Sequence, residues 1–209
     1  MVTKAIQTQL IPVAELTPGS VAAIRNEVTK RLVGIASAEL NVSPDKLVVR
    51  DIRPYSDIGW CSTTDVVTAA LTEDYWSATL DVSKASAGSY VGCVTSALTT
   101  MADNRWVAIY GVKDYRMCLA TPIEQAIGSI RFSVGGNERA IWDLQNMECY
   151  RDALAAVSPS AIIIPQNTTF QIYLYGCLGD TGAAGTADLV EYIVLEGIVV
   201  EPVGKVLSP

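Results

Sequence analysis

The stretch 162–179, IIIPQNTTFQIYLYGCLG, limits the possible folds more than any other part of the chain. Three isoleucines run into a proline and a polar turn. Phe170, Ile172 and Leu174 then alternate with Gln171, Tyr173 and Tyr175. A period of two places the first set on one face of a strand and the second set on the other. A sheet with one apolar face has to bury it against a second layer. The segment therefore predicts a packed sheet that is partly solvated on its far side.

Strand-like runs separated by turns fill the chain after Pro44. They are 46–53 (KLVVRDIR), 76–82 (WSATLDV), 89–98, 106–112 (WVAIYGV), 117–120, 129–134 (SIRFSV), 139–144, 162–164, 170–175 and 189–200. Gly135-Gly136-Asn137 is a hairpin-type turn between two of them. Gly197 inside the last run predicts a bulge. The region 143–157 reads either way, with Glu148, Arg151 and Asp152 spaced to pair on a short helix that Ser158-Pro159 would end. The stretch 176–185 is a glycine-rich loop. No βαβ rhythm appears, and regular short strands point to a sandwich or barrel.

One helix precedes the strands. Thr17-Pro18-Gly19-Ser20 supplies a cap and an early proline. Val21, Ile24, Val28, Leu32 and Ile35 follow on one face, with Arg25, Asn26, Thr29 and Lys30 largely on the other. The helix should end near Glu39, before Asn41-Val42-Ser43-Pro44. A lipid surface is one destination for such a helix. Its few mixed charges and lack of a large aromatic favour packing on the protein's own sheet or on a neighbouring subunit. The expected fold class is mainly β: an antiparallel, jelly-roll-like β-sandwich over 45–209, preceded by an N-terminal arm and amphipathic helix over 1–44.

Composition narrows the function. Charged residues are 18% of the 209, against about a quarter in ordinary soluble domains, which suggests surface covered by partners. The net charge is −7 and the cations are scattered, so direct nucleic-acid binding is not expected. No apolar run is long enough for a transmembrane helix. The opening MVTKAIQTQLIPVAEL has no apolar core of the secretory-signal type, so synthesis in a cytoplasm is expected. The chain has no histidine, and its cysteines, at 61, 93, 118, 149 and 177, form no CxxC. That removes the common zinc arrangements and every Ser-His or Cys-His nucleophile. Buried thiols are the expected role of the cysteines.

Among short motifs, Asp180-Thr181-Gly182-Ala183 is the most suggestive of chemistry. It is similar to the D-T-G-[AS] loop of aspartic proteases, where two carboxylates share a proton and activate water. A chain with one copy would act as a homodimer using Asp180. Gly179 stands where that family has an apolar residue, and a flexible loop explains the tetrapeptide equally well. Ser43-Pro44-Asp45-Lys46 fits S-x-x-K but runs into a strand rather than a helix, and its partner motifs are missing. Glu73-Asp74 and Asp143 are carboxylates without a recognisable partner. The sequons at Asn41 and Asn167 read as turn chemistry. Trp60, Trp76, Trp106 and Trp142 suit core or interface anchors better than a stacking platform.

The phrase IIIPQNTTFQIYLYG, followed by a closing run at 189–200, resembles the late strands of viral jelly-roll capsid proteins. The runs at 76–82 and 106–112 fit the same plan. In size and acidity the chain is similar to the single jelly-roll capsid proteins of icosahedral, internal-membrane viruses of bacteria and archaea. The resemblance implies a virion shell subunit, made in the host cytoplasm, with no catalysis and no cofactor. Its partners would be copies of itself and other virion proteins. Val21, Ile24, Val28, Tyr173 and Tyr175 are the interface candidates. The alternatives are a tail, spike or carbohydrate-binding sandwich with a tryptophan-lined groove, and the Asp180 protease.

Overall fold

The computed structural model describes residues 6–7, 10–59, 78–81, 90–92, 99–114, 127–144, 155–176 and 190–206. In chain order these form strands β1 (Ile6–Gln7) and β2 (Ile11–Pro12), helix α1 (Pro18–Leu40), strand β3 (Leu47–Asp51) and helix α2 (Pro54–Ile58). Strands β4 (Ala78–Asp81), β5 (Tyr90–Gly92), β6 (Trp106–Asp114), β7 (Ile127–Val134) and β8 (Asn137–Asp143) follow. The chain continues through β9 (Ala155–Ile164), β10 (Phe170–Gly176), β11 (Val190–Pro202) and helix α3 (Val203–Val206).

The strands make two sheets. One has the order β1-β8-β7-β10-β5; the other is β2-β9-β6-β11-β3, with β4 also pairing β11. Every pairing among the described strands is antiparallel except β1 on β8. Period-two alternation turns Ile130, Phe132, Ala140, Trp142, Phe170 and Ile172 from the first sheet toward Val107, Ile109, Val112, Ile162, Ile164 and Val199 of the second. The core is therefore the layer between two sheets, as the alternation predicts.

A second apolar layer covers the other face of the β6-bearing sheet. Val28, Leu32 and Ala36 of α1 pack on Trp106, Ala108, Tyr110, Val157, Ile198 and Val200. Sandwiched between α1 and the opposite sheet, β6 is buried from Trp106 through Val112. This is why WVAIYGV is a continuous apolar run while FQIYLYG alternates: the first strand has two apolar neighbours, the second has one. The isoleucine run divides the same way. Ile162 and Ile164 face the other sheet, and Ile163 faces the helix layer.

Local chemistry sets the ends of these elements. Thr17 caps α1, its hydroxyl oxygen accepting from the Ser20 N–H at 3.2 Å, and Pro18 opens the first turn. Asn41 ends the helix in the left-handed region at φ 52°. Gly135 and Gly136, at φ 62° and 74°, make the tight β7–β8 turn that only positive φ at both positions allows. The ladder between β11 and β6 slips at Glu196/Gly197, the position of the bulge that the sequence predicts. A Cβ on Gly197 would sit 2.5 Å from the Ala108 carbonyl oxygen, so no larger residue fits there.

The expected stop at Ser158-Pro159 is corrected by the structure. Asp143 ends β8, and residues 155–157 already belong to β9, which continues through Ser158-Pro159 to Ile164. Pro159 does not break the strand because the ladder shifts there: β6 pairs Ile109 with Ile162 and Gly111 with Val157. The residues between bulge out opposite Tyr110, where a missing N–H costs no ladder bond. Glu148, Arg151, Asp152 and the run at 117–120 lie outside the described residues. Strands β1 and β2 have no signal in the sequence, because two residues carry no period. They place the arm along the β8 edge of one sheet and the β9 edge of the other.

Candidate interaction surfaces

The helix candidates separate according to their position on α1. Val28, expected at an interface between subunits, is only 5% exposed and belongs to the protein's own helix–sheet core. Ile24 packs partly against the same cluster, and Val21 is half-buried one turn earlier. The 3.6-residue period gives the apolar stripe correctly, but periodicity does not say what covers a stripe.

Tyr173 lies on the opposite side of the sandwich. It points out from the sheet containing β10, across from Arg131 of β7 in the ladder. The Arg131 guanidinium carbon stands 4.5 Å from the centre of the Tyr173 ring, and Nη1 reaches Glu138 Oε1 at 2.8 Å. This stacked pair leaves Tyr173 half-buried with a polar tip, as suits an interface anchor. Tyr175 aligns with Ser129 on β7 and Tyr90 on β5, and its side chain lies outside the described residues. The helix candidates and Tyr173 therefore occupy two separate faces and do not form one site.

The densest polar feature escapes sequence reasoning. Arg50 of β3, Asp57 of α2, Arg105 just before β6 and Glu201 near the end of β11 meet at one end of the sandwich. Arg50 holds both Asp57 oxygens at 2.7 Å, and its Nη2 reaches Glu201 Oε2 at 3.0 Å. Arg105 Nε donates to Glu201 Oε1 at 2.7 Å, and the Arg53 main-chain N–H donates to Asp57 Oδ2 at 2.7 Å. The side chains of Asp57 and Glu201 are only 3% and 6% exposed. The hydrogen bond to Asp57 is the main reason that the Arg50 guanidinium is held charged even beyond its ordinary range. Burial opposes it, and the charges of Asp57 and Glu201 add to it. Two cations cancel two anions, and all four carboxylate oxygens already accept hydrogen bonds, so neither acid is free to serve as a base. The cluster is a clamp joining β3, α2, β6 and β11. No sequence signal marks it, since Arg50 and Glu201 are 151 positions apart.

Tyr110 lies under α1 on the outer face of β6. Burial, and secondarily the Glu196 carboxylate, push its phenol above the ordinary 10.0. A folded-state pKa above the unfolded one gives stability that is complete below the unfolded value, about pH 10, and is lost as pH rises through the folded value. Alkaline unfolding monitored by circular dichroism should therefore begin above about pH 10, and Tyr110→Phe should flatten that limb. An unchanged limb would show that Tyr110 does not control it.

The remaining motifs give no reactive arrangement among the described residues. Asp180, Glu73-Asp74, Trp60, Trp76 and all five cysteines lie outside them. Ser43 precedes a short 3₁₀ turn at Pro44–Lys46, not an α-helix. Asn167 is a left-handed turn residue at φ 53°, with Nδ2 3.1 Å from Asp103 Oδ1. Trp106 is buried beneath α1, its Nε1 donating to Glu39 Oε2 at 2.9 Å, and Trp142 is buried between the sheets. Neither ring can stack on a ligand. Among the described residues, no three potential metal ligands gather, and no helix is long and apolar enough to cross a membrane. Compared with known protein families, with curated proteins and with solved structures, the chain has no match.

Proposed function

We propose that this chain is a jelly-roll structural subunit of a viral shell, acting through interfaces with copies of itself and with other virion proteins. The order of strand pairing carries the reading. Among the described strands, setting aside β1, β2 and β4 leaves eight: β3, β5, β6, β7, β8, β9, β10 and β11. The first pairs the eighth, the second the seventh, the third the sixth and the fourth the fifth, all antiparallel. Nested pairing of this kind supports a jelly roll, in which a long antiparallel ribbon is rolled up on itself as two Greek keys.

Jelly rolls also carry lectin and cupin functions, so the fold alone does not choose. A chain without histidine has no imidazole metal site, and the two described tryptophans are in the core rather than in a sugar-binding groove. Low charge and the stacked Tyr173 fit a surface made for protein contacts. No catalytic step and no cofactor belong to this role. Nor does α1 have a lipid role in it, because the helix's apolar stripe already covers its own sheet.

Light scattering of the purified protein across concentration and salt tests this. The expected result is a steep rise in mass with concentration, ending in closed particles visible by electron microscopy. A strictly monomeric protein throughout would refute self-assembly.

A further inference from the structure

Strand β3 stands at the edge of its sheet. It pairs with β11 on one side, and among the described residues it has no strand on the other. The bonding phase of that ladder is fixed by Ile52, whose N–H donates to the Gly197 carbonyl at 3.1 Å. Antiparallel bonding alternates, so Arg50 and Val48 turn their main-chain groups toward β11, and Val49 and Asp51 turn theirs outward. Leu47 also faces outward, but its N–H is returned to the Pro44 carbonyl, and the outward Asp51 carbonyl already accepts from Arg50 Nη1 at 3.2 Å. Val49 thus presents both a donor and an acceptor at the edge.

The same edge holds the exposed apolar surface. Among the described residues the large hydrophobic side chains left exposed are Val49, at 40%, and Val203, at 39%. Val203 opens α3, which packs beside β3. An edge strand open at its central residue, with bare valine there, is what proteins ordinarily blunt, and it is the form that accepts an added strand.

We infer that β3 pairs antiparallel with β3 of a second copy about a two-fold axis through Val49, joining the two β11-bearing sheets into one. The register follows from the residues. Val49 faces Val49 and exchanges both hydrogen bonds, Leu47 faces Asp51, and Val48 faces Arg50. The flanks bring exposed Asp45 of each copy toward exposed Arg53 of the other, so opposite charges meet. Moving the axis to Asp51 would centre the contact on a carbonyl that already accepts from Arg50 Nη1 and on a carboxylate already paired with Arg25. Moving it to Leu47 would centre the contact on an N–H already engaged. The Val49 register combines an open central pair, matched flanking charge and apolar cover, and it is isologous, as a two-fold contact must be.

This inference rests on the self-assembly reading, and its test separates the two. Sedimentation velocity of the full chain is compared for wild type and Val49→Lys, which puts two ammonium groups across the axis at an exposed position. Pairing should weaken by at least about tenfold, with an unchanged thermal midpoint at dilutions where both proteins are monomeric. In parallel, Val49→Cys is oxidised and its peptides are mapped by mass spectrometry, with a disulfide between the two introduced thiols expected. Oligomers that withstand Val49→Lys, with no such link, overturn the β3 interface and leave the assembly reading standing. A dimer lost in Val49→Lys, with no larger particle in wild type, supports the interface and refutes the shell. A wild type that is monomeric at every concentration refutes both.

Discussion

Asp57→Ala should lower the unfolding free energy by about 3–5 kcal/mol, the usual cost of removing one partner from a buried ion cluster. The reason lies in what stays behind. Among the described residues Arg50 and Arg105 then share Glu201 as their one carboxylate, with Arg50 also donating to the Asp51 carbonyl, and the Arg53 N–H loses its acceptor. With whole-domain stabilities of about 5–15 kcal/mol, a loss of that size should move the urea midpoint strongly without changing its slope. The double variant Asp57→Ala, Arg50→Met should cost less than the two single changes added together, because it removes the stranded cation along with the acid. A loss below about 1 kcal/mol for Asp57→Ala would mean that water screens the cluster as it screens a surface pair.

Trp142→Ala should cost about 3–5 kcal/mol, through lost burial and the cavity left behind. The ring is fully buried between the sheets and meets Phe132 edge-on, with centroids 4.6 Å apart and planes at 65°. Trp142→Phe should be much milder. It keeps an aromatic in the slot, and it removes an indole N–H that has no partner among the described residues. Chemical denaturation of both variants checks this. Equal losses for Ala and Phe would show that the site demands the full indole shape rather than apolar volume.

Much of the architecture could be read from local pattern. The cap at Thr17, the stripe of α1, the turn at Gly135-Gly136, the bulge at Gly197 and most strands stand where short-range chemistry puts them. These features depend on a residue and its close neighbours in sequence. The strand through Ser158-Pro159 could not be read that way. Proline looks like a stop until pairing with β6 lets β9 bulge out at that point. The buried clamp left no trace either, because its four residues come from distant parts of the chain and each looks like ordinary surface charge.

The interface candidates show the same boundary. Periodicity correctly said that Val28 and its stripe needed an apolar cover, and that Tyr173 stood on the outer side of its strand. It could not say that the protein's own sheet supplies the cover for Val28, or that Arg131 stacks on Tyr173. By itself the sequence determined periods, caps and turns, and it closed off histidine chemistry, because these depend on residue type and spacing alone. Only the tertiary structure decided which face of each element is covered twice, which charges are buried together, and that β3 is left with an open edge among the described strands. Those outcomes depend on how distant segments pair, and no local pattern encodes that.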